Sequence, residues 1–171
     1  ISMASNQNSE YSIVFNNLGI LLQAQKEVHK ALAKFKRAIE QKPDYAEAFN
    51  IRIVLFQQQK KFDPATAHYR SAIKLKPDAL IFNNRGALFK EQKEFDKAMA
   101  DYNQAIELNP DYAMAFNNRG NLFQAQKEFD KAMADYNQAI ELKPDYSDAF
   151  NNRGILLQAH KEFDKASEDF N

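Results

Sequence analysis

The chain has 171 residues and carries 23 Lys and Arg against 23 Asp and Glu, so its formal net charge is zero. This balance argues against a nucleic-acid partner, because proteins that bind along phosphates usually carry a basic excess. The absence of cysteine excludes a disulfide framework, a cysteine nucleophile and a thiolate zinc site. No apolar run approaches the roughly 18 residues of a membrane span, so we expect no membrane insertion.

The chain begins with a polar leader, residues 1–11, in which we expect residues 1–8 to be disordered. The sequence then repeats itself, and prolines mark the period. Pro43, Pro77, Pro110 and Pro144 follow one another at spacings of 34, 33 and 34 residues. Aligning the chain on these prolines predicts a repeat domain over residues 12–171. Its five units, the last of them truncated, are 12–45, 46–78, 79–112, 113–146 and 147–171.

The first half of each unit predicts a helix with one apolar face. Counting positions so that the proline is thirty-second, position four is phenylalanine, position ten is leucine and position eleven is leucine or phenylalanine. Position eight is glycine in every unit except the second, where it is Ile53. Positions four, eight and eleven lie on one side of a helix. We expect the larger Ile53 to hold the two helices of its unit further apart or to rotate them.

The second half of each unit predicts a second helix, with an apolar residue at seventeen, alanine at twenty and an aromatic residue at twenty-four. We expect the glycine at eight to face the alanine at twenty, so that two antiparallel backbones approach closely. The proline should end the second helix, and the aspartate after it should cap the next first helix. Because a two-helix unit cannot bury its apolar face alone, the units must stack.

This pattern resembles the tetratricopeptide repeat family. Unit four matches the family's positions most plainly, with Phe116, Gly120, Phe123, Ala132, Tyr136, Ala139 and Pro144. The resemblance implies an all-α fold, a right-handed α-solenoid or superhelix of stacked antiparallel helix pairs, whose concave face is lined mainly by first helices. Position fifteen departs from the family, which often has glycine in the turn between the helices. We expect either slight strain in that turn or a different turn conformation at Lys26, Lys60, Lys93, Lys127 and Lys161.

Arginine at position seven accompanies aspartate at position twenty-three in units three, four and five. Unit two has Arg52 with His68 instead. The favoured interpretation is a partly buried ion pair that positions the helices. The alternative is a ladder of basic side chains that reads a ligand.

Side-chain amides recur on the face of the first helix that a helical wheel places opposite the packed side. An asparagine amide offers two donors and an acceptor without charge, so a row of amides can bind the N–H and C=O groups of an extended peptide. Asparagine is also a poor helix former, which indicates a role. The alternatives are a merely solvated polar face, or amides that cap contacts between repeats. The candidate groove residues are Asn16, Asn17, Asn50, Asn83, Asn84, Asn117, Asn118, Asn121, Asn151, Asn152, Gln23, Gln57, Lys90, Gln124 and Gln158.

The sequence offers no catalytic, metal or cofactor site, because the three histidines occupy unrelated positions and no phosphate-binding loop is present. The carboxylate clamp of the family needs lysine at position five, which is always asparagine here. We therefore predict a non-enzymatic scaffold that binds a protein or peptide segment in the amide-lined groove. One alternative is a structural module that self-associates end to end through Phe163, Ala166 and Phe170 or acts through its convex face. Another is a targeting domain of a larger protein.

Overall fold

The computed structural model describes residues 3–43 and 45–159, and the side chains within these ranges except those of residues 3–9, 46, 47 and 50. Over this part of the chain all regular structure is helical. The helices are α1 (Met3–Ala24), α2 (Val28–Gln41), α3 (Ala46–Gln58), α4 (Phe62–Leu75), α5 (Ala79–Glu91), α6 (Phe95–Leu108), α7 (Ala113–Ala125), α8 (Phe129–Leu142) and α9 (Ser147–Ala159).

The chain forms two compact bodies, an N-terminal body over Ile1–Lys76 and a C-terminal body over Pro77–Asn171. Within each body, consecutive helices pair as hairpins, and the first helices of units two to five start at the first residue of the predicted unit. The disorder expected for residues 1–8 is wrong for the residues described, since α1 already begins at Met3. The leader contains neither proline nor glycine, so the helix of unit one extends backwards through it.

The core forms between repeats as well as within them, as an all-α solenoid requires. Leu122, at position ten of α7, packs against Phe89, Ala98 and Tyr102 of the preceding hairpin. Leu156 of α9 repeats this contact one unit later, against Ala132 and Tyr136. Full burial of one leucine contributes about 2–3 kcal/mol. Each hairpin therefore depends on its neighbour for part of its stability.

The glycines at position eight make room chiefly for an aromatic ring, and at Gly86 also for the backbone of Ala98, the alanine at position twenty that the sequence suggested. A Cβ added at Gly19, Gly86 or Gly120 would lie 2.7, 2.8 or 2.7 Å from the ring at position twenty-four, namely Phe35, Tyr102 or Tyr136. In unit two Ile53 fills this place and is buried. The backbones of α3 and α4 accordingly come close at far fewer positions than those of the other hairpins, which confirms the prediction for Ile53.

The lysine at position fifteen adopts a left-handed backbone conformation in each described turn between the two helices of a unit. The φ angles lie between 55° and 63° at Lys26, Lys60, Lys93 and Lys127. In the first turn Lys26 N–H donates to the Gln23 carbonyl and Glu27 N–H donates to the Leu22 carbonyl, both over 2.9 Å. These two bonds are those of a Schellman motif, which usually has glycine at this residue. The predicted strain is present, and Lys161 lies outside the described residues.

Helix capping by the aspartate after the proline occurs at Asp78. Its carboxylate Oδ1 accepts a 2.9 Å hydrogen bond from Leu80 N–H at the start of α5. Helices α3 and α7 instead begin after Tyr45 and Tyr112, without a side-chain cap. Before α7, Tyr112 follows Asp111 and moves it one residue away from the cap position, so the expectation fails there. Asp44, before α3, lies outside the described residues.

Candidate functional site: amides of the first helices

The side chains at position five lie between repeats rather than on an open face. Asn16, Asn83 and Asn117 are buried, whereas Asn151 is exposed and the side chain of Asn50 is outside those described. A helical wheel considers one helix alone, so it could not account for the neighbouring repeat that covers this position. The three buried amides cannot contact an external peptide in this arrangement.

Amides at positions five and six join neighbouring repeats of the C-terminal body. Asn118 Nδ2 donates to Asn83 Oδ1 over 2.9 Å. Asn152 Nδ2 donates to Asn117 Oδ1 over 3.0 Å, one unit further along. The same bond thus recurs from α7 to α5 and from α9 to α7, which pack side by side.

The N-terminal body lacks this bond because Ile51 stands at position six of unit two. Asn16 is the counterpart of Asn83 and Asn117, and both its Oδ1 and its Nδ2 are buried without a hydrogen-bond partner. An isoleucine cannot donate the missing bond. Leaving a buried polar group unsatisfied costs about 1–3 kcal/mol, so this junction is weaker than its counterparts.

The position-six amides retain hydrogen-bonding capacity on the accessible side. Asn84, Asn118 and Asn152 are half-buried and Asn17 is exposed. The Asn84 oxygen accepts from Asn83 over 3.3 Å. The oxygens of Asn118 and Asn152 have no partner among the described residues, since only their nitrogens are used. Each of these two repeats therefore presents one free amide acceptor.

In unit four, the amides at positions nine and twelve of the first helix lie within hydrogen-bond distance of a tyrosine in the second helix. The Tyr136 hydroxyl lies 2.7 Å from Asn121 Oδ1 and 2.6 Å from Gln124 Oε1. Burial and the neighbouring Asp135 raise the pKa of Tyr136, so the hydroxyl stays a donor at neutral pH. The remaining candidates at position twelve are half-buried or exposed, namely Gln23, Gln57, Lys90 and Gln158.

Sequence reasoning missed several apolar side chains on the accessible side of the first helices. Leu80 and Met114 at position two, and Ile155 at position nine, are exposed. Positions two, six and nine share one helix face. We call this face of α5, α7 and α9 the first-helix surface; it comprises Leu80, Asn84, Met114, Asn118, Asn121, Asn152 and Ile155. The apolar residues at position two were the available signal.

The arginines at position seven of units three and four form ion pairs inside their repeats, which confirms the favoured interpretation there. Arg85 Nε and Nη2 each donate to Asp101 over 2.7 Å, and Arg119 binds Asp135 in the same way over 2.8 Å. Arg119 Nη1 also donates to Asn103 of the preceding unit over 2.8 Å. These guanidinium groups fix helix positions, so they do not form a ligand-reading ladder. Asp169, expected opposite Arg153, lies outside the described residues.

His68 replaces the aspartate of this pair in unit two. Its ring stacks on Phe56 at 5.4 Å between centroids, and Arg52 Nε is buried without a hydrogen-bond partner. Burial, and secondarily the charge of Arg52, lower the pKa of His68 to about 4. The imidazole is therefore neutral at neutral pH and cannot compensate the arginine charge.

The described residues contain no group of His, Asp or Glu that could hold a metal ion. None of the helices in the described ranges is both long and apolar enough to cross a bilayer.

Sequence models of the tetratricopeptide repeat match four stretches that together span most of the chain, residues 16–79, 86–127, 113–146 and 135–166. The chain belongs to the tetratricopeptide repeat family. The fold and the matches support a protein-interaction scaffold, the general role of tetratricopeptide repeat (TPR) domains. No curated protein sequence matches the chain significantly.

Solved TPR structures share the fold at low sequence identity. PilF of Pseudomonas aeruginosa is 22% identical with a TM-score of 0.80, over 95% of this chain and 75% of that one. A MamA structure is 20% identical with a TM-score of 0.75, over 94% and 88%. YrrB, described as a TPR protein with an unusual peptide-binding site, is 22% identical with a TM-score of 0.67, over 96% and 85%.

Proposed function

We propose that this TPR chain is a non-enzymatic scaffold that binds an extended segment of a partner protein on the first-helix surface. The observation that carries the proposal is the row of amides on α5, α7 and α9. The nitrogens of Asn118 and Asn152 fix neighbouring repeats, while their oxygens have no partner in the described part of the chain. A peptide backbone supplies N–H donors that match such acceptors.

Apolar side chains beside the amides would add affinity. Leu80, Met114 and Ile155 are exposed on the same helix face as the position-six amides, and burial of apolar surface contributes about 25 cal/mol per Å². An extended segment whose backbone meets the amides can place alternate side chains on these residues. YrrB, which shares the fold, is described as having a peptide-binding site, and this supports the same class of ligand here.

The test is selection of peptides from a random displayed library, followed by affinity measurement with variants that introduce a charge. We expect Met114→Glu with Ile155→Glu to weaken binding by about tenfold or more, since each buries a charge beside the peptide. The matched control is Ala100→Glu with Ala134→Glu, because both alanines are exposed on second helices. An equal effect of the two double variants on the dissociation constant would contradict the proposal.

End-to-end self-association is the second candidate, and an exposed face of α1 favours it. Leu21 is 55% exposed, whereas its counterpart at position ten of α7, Leu122, is fully buried against the preceding hairpin. Val14 is exposed on the same face. The predicted partner face, Phe163, Ala166 and Phe170, lies outside the described residues. Sedimentation of the full chain tests this candidate: Leu21→Glu should abolish any concentration-dependent mass increase, and a mass that stays monomeric throughout would refute it.

A further inference from the structure

A pocket of about 440 Å³ lies at the start of the C-terminal body. One wall is the segment that enters α5, Pro77 to Leu80, and the other is formed by Leu108, Asn109 and Tyr112 at the junction of α6 and α7. The volume falls within the range of roughly 300–1,000 Å³ typical of ligand pockets. All lining residues belong to one body, so the pocket does not depend on how the two bodies are arranged.

The pocket coincides with the position of a missing tyrosine. The segments after the other repeat prolines read Pro-Asp-Tyr, with Tyr45, Tyr112 and Tyr146, whereas Asp78 is followed directly by Ala79. The segment that leads into α5 and forms this wall therefore lacks the tyrosine that is present in the equivalent segment before α7. Asp78 occupies the capping position with an extended backbone. The place of the missing tyrosine side chain stays open as the pocket.

Burial at the next junction, which retains its tyrosine, supports this reading of the pocket. Leu108 is 44% exposed, while its counterpart Leu142 is half-buried. Ala79 is half-buried, while its counterpart Ala113 is buried. One side chain on each wall, Leu142 and Ala113, is thus better covered than its counterpart in the pocket.

We infer that this pocket receives a tyrosine side chain of the bound partner segment, in place of the tyrosine that this repeat lacks. The inference rests on the proposed function, because the exposed side chain of Leu80 belongs both to the pocket and to the first-helix surface. Leu80, Leu108 and Pro77 supply apolar contact for the ring. Only Oδ1 of Asp78 is engaged in the described structure, by Leu80 N–H, so Oδ2 can accept a hydrogen bond from the phenol. This acceptor favours tyrosine over phenylalanine.

N-acetyl-tyrosinamide tests the pocket without any partner segment. When this probe is titrated into the full chain, we expect the methyl NMR signals of Leu80 and Leu108 to shift saturably, with a dissociation constant of about 1 mM. N-acetyl-phenylalaninamide should bind at least about threefold more weakly, because it lacks the hydroxyl. Equal affinity for the two probes would overturn the choice of tyrosine, and the absence of saturable shifts would overturn the pocket.

Two variants localise the binding. A tyrosine inserted between Asp78 and Ala79 should abolish probe binding, since it restores the full-length wall. Leu108→Gln should weaken binding about tenfold or more, while Leu142→Gln, at the equivalent place one repeat later, should leave it unchanged. Leu108→Gln keeps the test valid if the insertion unfolds the chain. Equal effects of the two glutamine variants would refute the pocket.

The two proposals fail separately. Library peptides that bind the first-helix surface and lose no affinity on Leu108→Gln would overturn the tyrosine pocket and leave the proposed function intact. Saturable binding of N-acetyl-tyrosinamide that Leu108→Gln removes would support the pocket even if the glutamate variants of the first-helix surface showed that peptides bind elsewhere.

Discussion

At the residue scale, asparagines at the same repeat position differ in their hydrogen bonding. Asn83 accepts from Asn118 and donates to Asn84, while Asn16 is buried with no partner for its amide. The difference follows from Ile51, which stands at the position from which Asn118 and Asn152 donate in the C-terminal body. The sequence identified these amides as special, but it could not show that position five is covered by the next repeat.

Alanine substitution should separate the satisfied amide from the unsatisfied one. We expect Asn83→Ala to lower the free energy of unfolding by about 2 kcal/mol, because it removes hydrogen bonds and leaves the Asn118 donor without its acceptor. Asn16→Ala should change it by less than about 0.5 kcal/mol or raise it, since no bond is lost. Chemical denaturation followed by circular dichroism measures both. Similar losses for the two variants would contradict the assigned hydrogen bonds.

His68 should make stability depend on pH below neutrality. Its pKa is about 4 in the folded chain, against an ordinary value of 6.5, so between these values the unfolded chain binds more protons. Stability is therefore full above pH 6.5 and declines as the pH falls towards 4. We expect a loss of about 1–2 kcal/mol, because partial exposure of the imidazole screens the effect. Thermal unfolding at several pH values tests this, and His68→Gln should remove this contribution; an unchanged slope would contradict it.

At the scale of the helices, the sequence predicted the hairpins well because their signals are local. Prolines end second helices, the residue at position eight sets the approach of the two helices, and the starts of units two to five coincide with helix starts. The contacts that were mispredicted involve a partner distant in sequence or an altered junction. Gly120 faces the ring of Tyr136, and aspartate caps α5 at Asp78, where the tyrosine is missing, but not α7, where Tyr112 is present.

The turn lysines allow a stabilising substitution. We expect Lys127→Gly to raise the free energy of unfolding by about 0.5–1 kcal/mol, because relief of roughly 1–2 kcal/mol of left-handed strain outweighs the greater chain entropy of glycine. Lys131→Gly, inside α8, is the matched control and should lower stability by about 1 kcal/mol. Urea denaturation distinguishes the two signs. A loss of stability for Lys127→Gly would show that the turn is not strained.

At the scale of the whole molecule, stacking of repeats determines which residues are available for binding. Leucine at position ten is buried where a hairpin precedes it, as at Leu122, and exposed at Leu21. The periodicity of the sequence predicted this stacking and the amide positions. It did not predict whether the nitrogen or the oxygen of each amide remains available for binding, because that depends on hydrogen bonds between repeats. The exposed Met114 and Ile155 were overlooked because the amides dominated the pattern.

Direct mapping of a bound peptide is the measurement that tests the central claim. A library-selected peptide carrying a spin label should broaden the side-chain amide signals of Asn118 and Asn152 and the methyl signals of Met114 and Ile155. The methyl signals of Ala100 and Ala134, on the exposed side of second helices, should remain sharp. Broadening confined to the second helices, with the first-helix surface unaffected, would contradict the claim that this surface binds the partner segment.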